Sequence, residues 1–251
     1  MKKIVSIGRG GVGKTSFIAL LAVYFKGRKV LLIDADPDTS LDRMLGIDLK
    51  ENGVNSVSDI LFDVRNELVE DNLKTLPLAD KIDYLFNRKV LYEGKDLDFI
   101  TIGTKWTEGC YCQPNNILKG IIAKLENNYD FVLIDSPAGL EHLNRRVTSS
   151  VDDIFAILDP SQKAFDNAAS ARKILSQIGI KFKNFYAVAN YRFPAAKLAA
   201  AEKNGNFRFL GKIDYDKELE EKNLEGRFVF ELKDDSPALV SIGNIMKKAG
   251  Y

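Results

Sequence analysis

The chain has 251 residues, 45% hydrophobic and 28% charged, the composition of a globular protein long enough to bury a sizeable core. Lys and Arg number 36 against 35 Asp and Glu, a formal charge of +1, so no whole-chain field steers it onto nucleic acid or an anionic membrane. The longest apolar run, Phe17 to Phe25, falls far short of a bilayer span, and the stretch after Met1-Lys2-Lys3 stops at Gly8, too short for a signal-peptide core; a cytoplasmic protein is expected.

In chain order, Ile4–Ile7 reads as a buried strand that runs into Gly8-Arg9-Gly10-Gly11-Val12-Gly13-Lys14-Thr15 and then a helix near Thr15–Phe25. This is G-x-x-x-x-G-K-[ST] between strand and helix, the context in which that motif binds phosphates. Glycines let backbone N–H groups approach phosphate oxygens, and the helix start at Lys14, Thr15 and Ser16 adds a dipole that favours anions. Lys14 is expected to reach the β and γ phosphates, and the Thr15 hydroxyl to bind Mg²⁺. The second strand, Val30–Ile33, delivers Asp34, Asp36 and Asp38 to one loop; three carboxylates there repel one another unless cations or donors compensate, which points to Mg²⁺ and an attacking water nearby.

Residues 50–96 break the strand-helix rhythm and read as an irregular or helical insertion within a single 1–251 domain. Its helical stripe is Val57, Ile60, Leu61, Val64 and Leu68, followed by a polar, charged stretch. Leu97–Ile102 reads as a strand and Asn116–Leu125 as a helix. The strand Phe131–Ile134 ends in Asp135, placed to hold Mg²⁺ through its water shell, and opens the turn Ser136-Pro137-Ala138-Gly139. Strands at Ile154–Leu158, Phe185–Ala189 and Phe207–Leu210 alternate with helices near Ala164–Ile178 and Pro194–Lys203. Several strands are apolar on both faces, so the expected fold is α/β: a doubly wound, mostly parallel sheet with helices on both sides. Ser236-Pro237 caps a last helix whose Leu239, Val240, Ile242, Ile245 and Met246 are expected to dock on the core. The alternative, a membrane-surface helix, has only Lys247 and Lys248 for positive charge.

Gly10-Gly11-Val12-Gly13-Lys14-Thr15, Asp34-Ala35-Asp36-Pro37-Asp38 and Asp135-Ser136-Pro137-Ala138-Gly139 together resemble the deviant Walker A P-loop ATPases. These include the MinD and ParA partition proteins, the nitrogenase iron protein and metal-centre assembly ATPases. The resemblance implies an ATPase that dimerises around nucleotide. In that family an extra lysine early in the loop reaches the partner's phosphates; Arg9 stands there and can grip phosphate bidentately. Asp36 would orient or activate the attacking water, with Asp135 on the magnesium side. Asn190, with Tyr191 beside it, matches the asparagine that reads adenine, and the segment from Ile213 to Asp216 would wrap the base. Asn190-Tyr191-Arg192-Phe193 lacks the Asn-Lys-x-Asp guanine signature, so ATP is expected rather than GTP.

Glu108-Gly109-Cys110-Tyr111-Cys112-Gln113-Pro114-Asn115, with Gly139-Leu140-Glu141-His142-Leu143, is similar to the C-x-C loop and A-G-[IL]-E-H-L segment of the CooC-type carbon monoxide dehydrogenase accessory (nickel-insertion) ATPases. Acetyl-CoA synthase is a second possible client. Cys110 and Cys112 are too close for an easy disulfide. Two thiolates supply half of a tetrahedral site, and a C₂ homodimer would supply four for Ni²⁺ or Zn²⁺. The competing readings are buried or merely oxidisable cysteines, with His142 either structural or relaying nucleotide state. At the level of function, the first expectation is a MgATP-gated metallochaperone. A partition or positioning ATPase, and a storage scaffold with a degenerate nucleotide site, are the alternatives.

Overall fold

The computed structural model describes residues 1–36, 39–103, 112–137, 148, 150–203, 207–225 and 229–251, without the side chains of 112–115, 117, 118, 224 and 225. In β1 (Lys2–Ile7), Val5 and Ile7 enter one hydrophobic core and Ile4 the other. The same alternation divides Leu31 and Ile33 from Val30 and Leu32 in β2 (Val30–Asp34). A strand with period-2 side chains and two apolar faces must be covered on both. Among the described residues, eight strands accordingly form one sheet between two helical layers, in the order β3-β4-β2-β5-β1-β6-β7-β8. The remaining strands are β3 (Tyr92–Glu93), β4 (Asp98–Thr101), β5 (Phe131–Asp135), β6 (Ser150–Leu158), β7 (Lys181–Ala189) and β8 (Arg208–Lys212). Every neighbouring pair is parallel except β3 and β4. The doubly wound, mostly parallel α/β fold is as expected from the sequence.

One core is covered by α3 (Val57–Arg65), α5 (Leu78–Lys89), α6 (Cys112–Leu125) and α7 (Gln162–Gln177). Between the first two, α4 (Asp71–Lys74) makes a single turn. The other core is covered by α1 (Lys14–Tyr24), α2 (Leu41–Leu45) and α10 (Pro237–Ala249), while α8 (Ala195–Lys203) lies beside β8 and α9 (Lys217–Glu225) follows it. The apolar run read at Phe17–Phe25 is α1, buried through Phe17, Ile18, Leu20 and Leu21.

Residues 57–90 are integral to the first layer, where Val57, Ile60, Leu61, Val64, Ile82, Leu85 and Phe86 are buried. The stripe does not extend to Leu68, which is 63% exposed: α3 ends at Arg65, and Glu67 takes a left-handed φ of 55° that stops the helix. The charged stretch after it is helical because Leu78, Ile82, Leu85 and Phe86 keep a 3.6-residue period within it. Helix α6 begins four residues before Asn116 and carries Pro114 in its first turn, where a missing N–H costs nothing. β6 and β7 start earlier than their apolar runs because their polar first residues still pair, Ser150 opposite Lys181. The Ser236 hydroxyl caps α10 by accepting from Leu239 N, and the helix docks on α1 and β8 through Ile242, Ile245 and Met246; Val240, expected in the core, is 51% exposed on the opposite face. Among the described residues no helix is long and apolar enough to cross a membrane.

Sheet register aligns the strand ends that carry polar residues. Ser6 lies opposite Asp135, Asp135 opposite Asp34, and Asp34 opposite Thr101. A row of oxygen ligands thus crosses the carboxyl edge of the sheet beside the loop after β1, the position where open α/β sheets bind ligands.

Candidate functional site

The loop between β1 and α1 is shaped by its glycines. Gly8 has φ 150°, and a Cβ there would stand 2.7 Å from the Ile157 carbonyl oxygen and 2.9 Å from Val12 Cγ1. Only glycine lets the loop leave β1 that close to β6. Gly13 occupies the N-cap of α1 at φ 102° and offers no side chain to the helix's first N–H groups; no acidic residue stands in that first turn either. At Gly10, Gly11 and Gly13 an added Cβ would meet nothing within 4 Å, so the loop faces open space rather than protein. Uncapped N–H groups at a helix start facing open space suit an anion.

The side chains around this loop fit a phosphate–magnesium group. Lys14 is 6% exposed, and its ammonium donates to the Arg9 carbonyl at 3.3 Å. The Thr15 hydroxyl donates to Asp135 Oδ2 at 2.6 Å, and the Ser6 hydroxyl to Asp135 Oδ1 at 2.9 Å. Ser136 in turn donates to the Ser6 carbonyl at 2.5 Å. Burial pushes the Asp135 carboxyl above the usual carboxylate range, against the Thr15 and Ser6 hydrogen bonds and the Lys14 charge, which pull it down. A buried carboxylate paired with two hydroxyls is a hard-oxygen set suited to hydrated Mg²⁺.

Asp34 has a different part from the one the sequence suggests. It is fully buried, and its two oxygens accept from Asp36 N at 3.0 Å and Leu41 N at 3.2 Å. Burial first, and the Asp135 charge second, drive its carboxyl well above the ordinary range. Asp34 therefore ties down the loop that carries Asp36, whose side chain is half-buried. Asp38 lies outside the described residues.

On the far side of Gly13, Asn190 directly follows β7. Its Nδ2 donates to the Val12 carbonyl at 3.2 Å, and its Oδ1 accepts from Arg192 N at 3.1 Å. Ile213 N bonds Ala189 O at 2.9 Å, which brings the segment after β8 alongside. Val12, Gly13, Ser16, Asn190, Tyr191, Ile213 and Tyr215 line a cavity of about 180 Å³. The rings of Tyr191 and Tyr215 stand 5.8 Å apart at its mouth, both substantially exposed. Two aromatic faces over a small cavity with amide and backbone polar groups suit a planar heterocycle. Asp216 stitches this segment to α10 by accepting from the Ser236 hydroxyl and from Ala238 N.

The structure thus brings together Gly10, Gly11, Gly13, Lys14, Thr15, Ser16, Asp36 and Asp135 on one side, with Asn190, Tyr191 and Ile213 adjoining across Val12. Arg9 is turned to Asp159, with Nη1 3.4 Å from Oδ2. Cys112 is the first residue of α6; its side chain, and Cys110, Glu141 and His142, lie outside the described residues. Among the described residues no three His, Cys, Asp or Glu side chains form a metal-binding group. Sequence reasoning missed Ser6 and Asp159. A lone hydroxyl inside an apolar strand marks the first, and a strand-end aspartate like Asp34 and Asp135 the second.

An AAA domain family model matches residues 1–185. The chain is 34% identical to the uncharacterized ATP-binding protein MJ0685 of Methanocaldococcus jannaschii over 96% of its length and 95% of that protein. It is 25% identical to the carbon monoxide dehydrogenase accessory protein CooC of Rhodospirillum rubrum, over 94% of this chain and 91% of the other. Among solved structures, the septum site-determining protein MinD of Pyrococcus horikoshii, complexed with Mg-ADP, superposes with a TM-score of 0.69 at 24% identity, covering 100% of this chain and 96% of that one. The chain therefore belongs to the AAA domain family, as a ParA/MinD-like P-loop ATPase family member.

Proposed function

We propose that the protein is an ATP-hydrolysing maturation factor: a homodimer gated by MgATP that carries Ni²⁺ or Zn²⁺ on Cys110 and Cys112 and assists nickel insertion into carbon monoxide dehydrogenase. The observation that carries the hydrolytic half is the Thr15 hydroxyl on Asp135, beside Lys14 at the end of a glycine loop. Thr15 would hold Mg²⁺ directly and Asp135 through water, and the bound ion would supply charge neutralisation for the phosphates. Lys14 exchanges the Arg9 carbonyl for a phosphate oxygen, a change from a neutral to a charged acceptor. Asp36, positioned by Asp34, accepts a hydrogen bond from the attacking water and aligns it. Asn190, Tyr191 and Ile213 hold the adenine. Catalysis then consists of positioning and charge stabilisation, with no covalent intermediate on the protein.

The cargo half rests on the C-x-C motif together with similarity to the CooC protein over almost the whole of both chains. The strand that precedes the cysteine segment supports its coupling to nucleotide. In the sequence, residues 104–111, which contain Cys110, come after Gly103, two residues beyond β4; Thr101 of β4 pairs with Asp34, and Ile102 N donates to the Asp34 carbonyl at 2.8 Å. A change at the Asp34–Asp36 turn therefore bears on that strand. Four thiolates from two chains would link metal affinity to dimerisation.

Equilibrium dialysis of Ni²⁺ and Zn²⁺ under reducing conditions, with mass measured in parallel, tests this. About one metal per dimer, lost in Cys110→Ala/Cys112→Ala, is expected. Nucleotide-driven dimers with no cysteine-dependent metal would sink the cargo role in favour of a positioning ATPase, the reading to which the MinD-like fold lends support.

A further inference from the structure

Arg9 and Asp159 form a contact that nucleotide binding by a single chain does not require. The Arg9 guanidinium leaves the phosphate loop toward α7, away from the base cavity, and meets Asp159 at 3.4 Å; the two side chains are 36% and 23% exposed. Asp159 is itself fixed. Its Oδ1 accepts from Ser161 N at 2.8 Å in the turn that begins α7, and the Ser161 hydroxyl caps that helix by accepting from Ala164 N at 3.3 Å. Partial burial works against the Asp159 anion, but the Ser161 hydrogen bonds, with Arg9 and Arg192 behind them, outweigh it and hold the carboxyl below its ordinary value. The acceptor is therefore charged and rigid at neutral pH. The Arg9 carbonyl meanwhile accepts from Lys14, so one residue holds the phosphate lysine by its backbone and points its own cation elsewhere.

We propose that Asp159 is a positioning residue for Arg9: it keeps the guanidinium off the chain's own phosphates and surrenders it, on dimerisation, to the phosphates bound by a second copy. This rests on the MgATP-dependent dimer proposed above. The exchange trades one anion for another, so Asp159 sets the threshold for association and opposes it by the strength of one partly exposed ion pair. Such pairs alter an equilibrium by about 1.4- to 5-fold.

Asp159→Asn removes the charge and keeps an oxygen for Ser161 N. MgATP-driven self-association, followed by sedimentation, should occur at about threefold lower protein concentration in this variant. In an Arg9→Ala background the same substitution should change nothing. An equal effect with and without Arg9, or weaker association in Asp159→Asn, overturns the proposal. The contact is tested separately by following the Asp159 carboxyl by ¹³C NMR titration in nucleotide-free protein. Its pKa should rise in Arg9→Ala, and an unmoved value overturns the proposal. Wild type that stays monomeric with MgATP refutes the dimer and the exchange step, whereas the titration still decides whether Asp159 holds Arg9.

Discussion

Replacing Thr15 by Val deletes one hydroxyl and preserves shape and helix propensity at the second position of α1. The loss falls on Asp135, which is fully buried and receives that hydroxyl at 2.6 Å. Removing one donor from a buried acceptor costs about 1–3 kcal/mol. Ser6 still serves the other oxygen and the carboxyl can take up a proton, which places the expected loss at the lower end, about 1–2 kcal/mol. For a chain of this size that lowers Tm by roughly 2–8 °C. The sharper effect is on ligand. A nucleotide present at 100 times its Kd stabilises the native state by about 2.7 kcal/mol, and in wild type that gain should depend on Mg²⁺. In Thr15→Val the shift with nucleotide should be equal in Mg²⁺ and in EDTA. Differential scanning calorimetry of both proteins with ATP, in both conditions, makes the comparison. A variant that keeps the wild-type difference between Mg²⁺ and EDTA would refute the assignment of Thr15 as ligand.

Gly8→Ala must accommodate a methyl 2.7 Å from a backbone oxygen at φ 150°; we expect a loss of about 2–4 kcal/mol, read as a Tm lower by roughly 10 °C without any ligand. Gly10→Ala meets nothing within 4 Å, so its nucleotide-free Tm should stay within about 2 °C of wild type, while its methyl enters the space over the loop and weakens ATP binding measured by calorimetry. Burial holds the carboxyls of Asp34 and Asp135 above their unfolded values, so the native state binds protons more readily and stability is lost as pH rises through that window. The nucleotide-free Tm should therefore climb as pH falls from neutrality toward the ordinary carboxylate range. It should turn down below about pH 4, where Asp152 and Asp216, held low in the native state, protonate. A Tm that falls throughout acidification would contradict this balance. The stabilisation added by MgATP should shrink over the same acid range, because Asp135 serves the ion only when charged.

Much of the site was readable because it is local. Gly8 to Thr15 is contiguous, and its role follows from a strand before it and a helix after it. Asp34 and Asp135 were visible as strand ends, but their division of labour was not: it comes from register, which sets Ser6 and Asp34 on either side of Asp135 and leaves Asp34 to spend both oxygens on main-chain N–H groups. The bond from Asn190 to the Val12 carbonyl spans 178 residues, and no periodicity carries such a contact. Arg9 was placed by its position in the loop, whereas its partner Asp159 depended on β6 lying beside β1. In the fold, the alternating strands fixed the layers, and the errors sit at ends. Leu68 continues the period of α3 but follows a left-handed Glu67, and the two-residue β3 is too short to have a pattern at all.

The most direct test of the central claim, that nucleotide state gates metal, is the Ni²⁺ affinity of one preparation measured in ADP and then in MgATP under reducing conditions, with Lys14→Ala alongside. Affinity should change with nucleotide in wild type, and Lys14→Ala should bind Ni²⁺ equally in both. Ni²⁺ affinity that is the same in ADP and MgATP would contradict that claim.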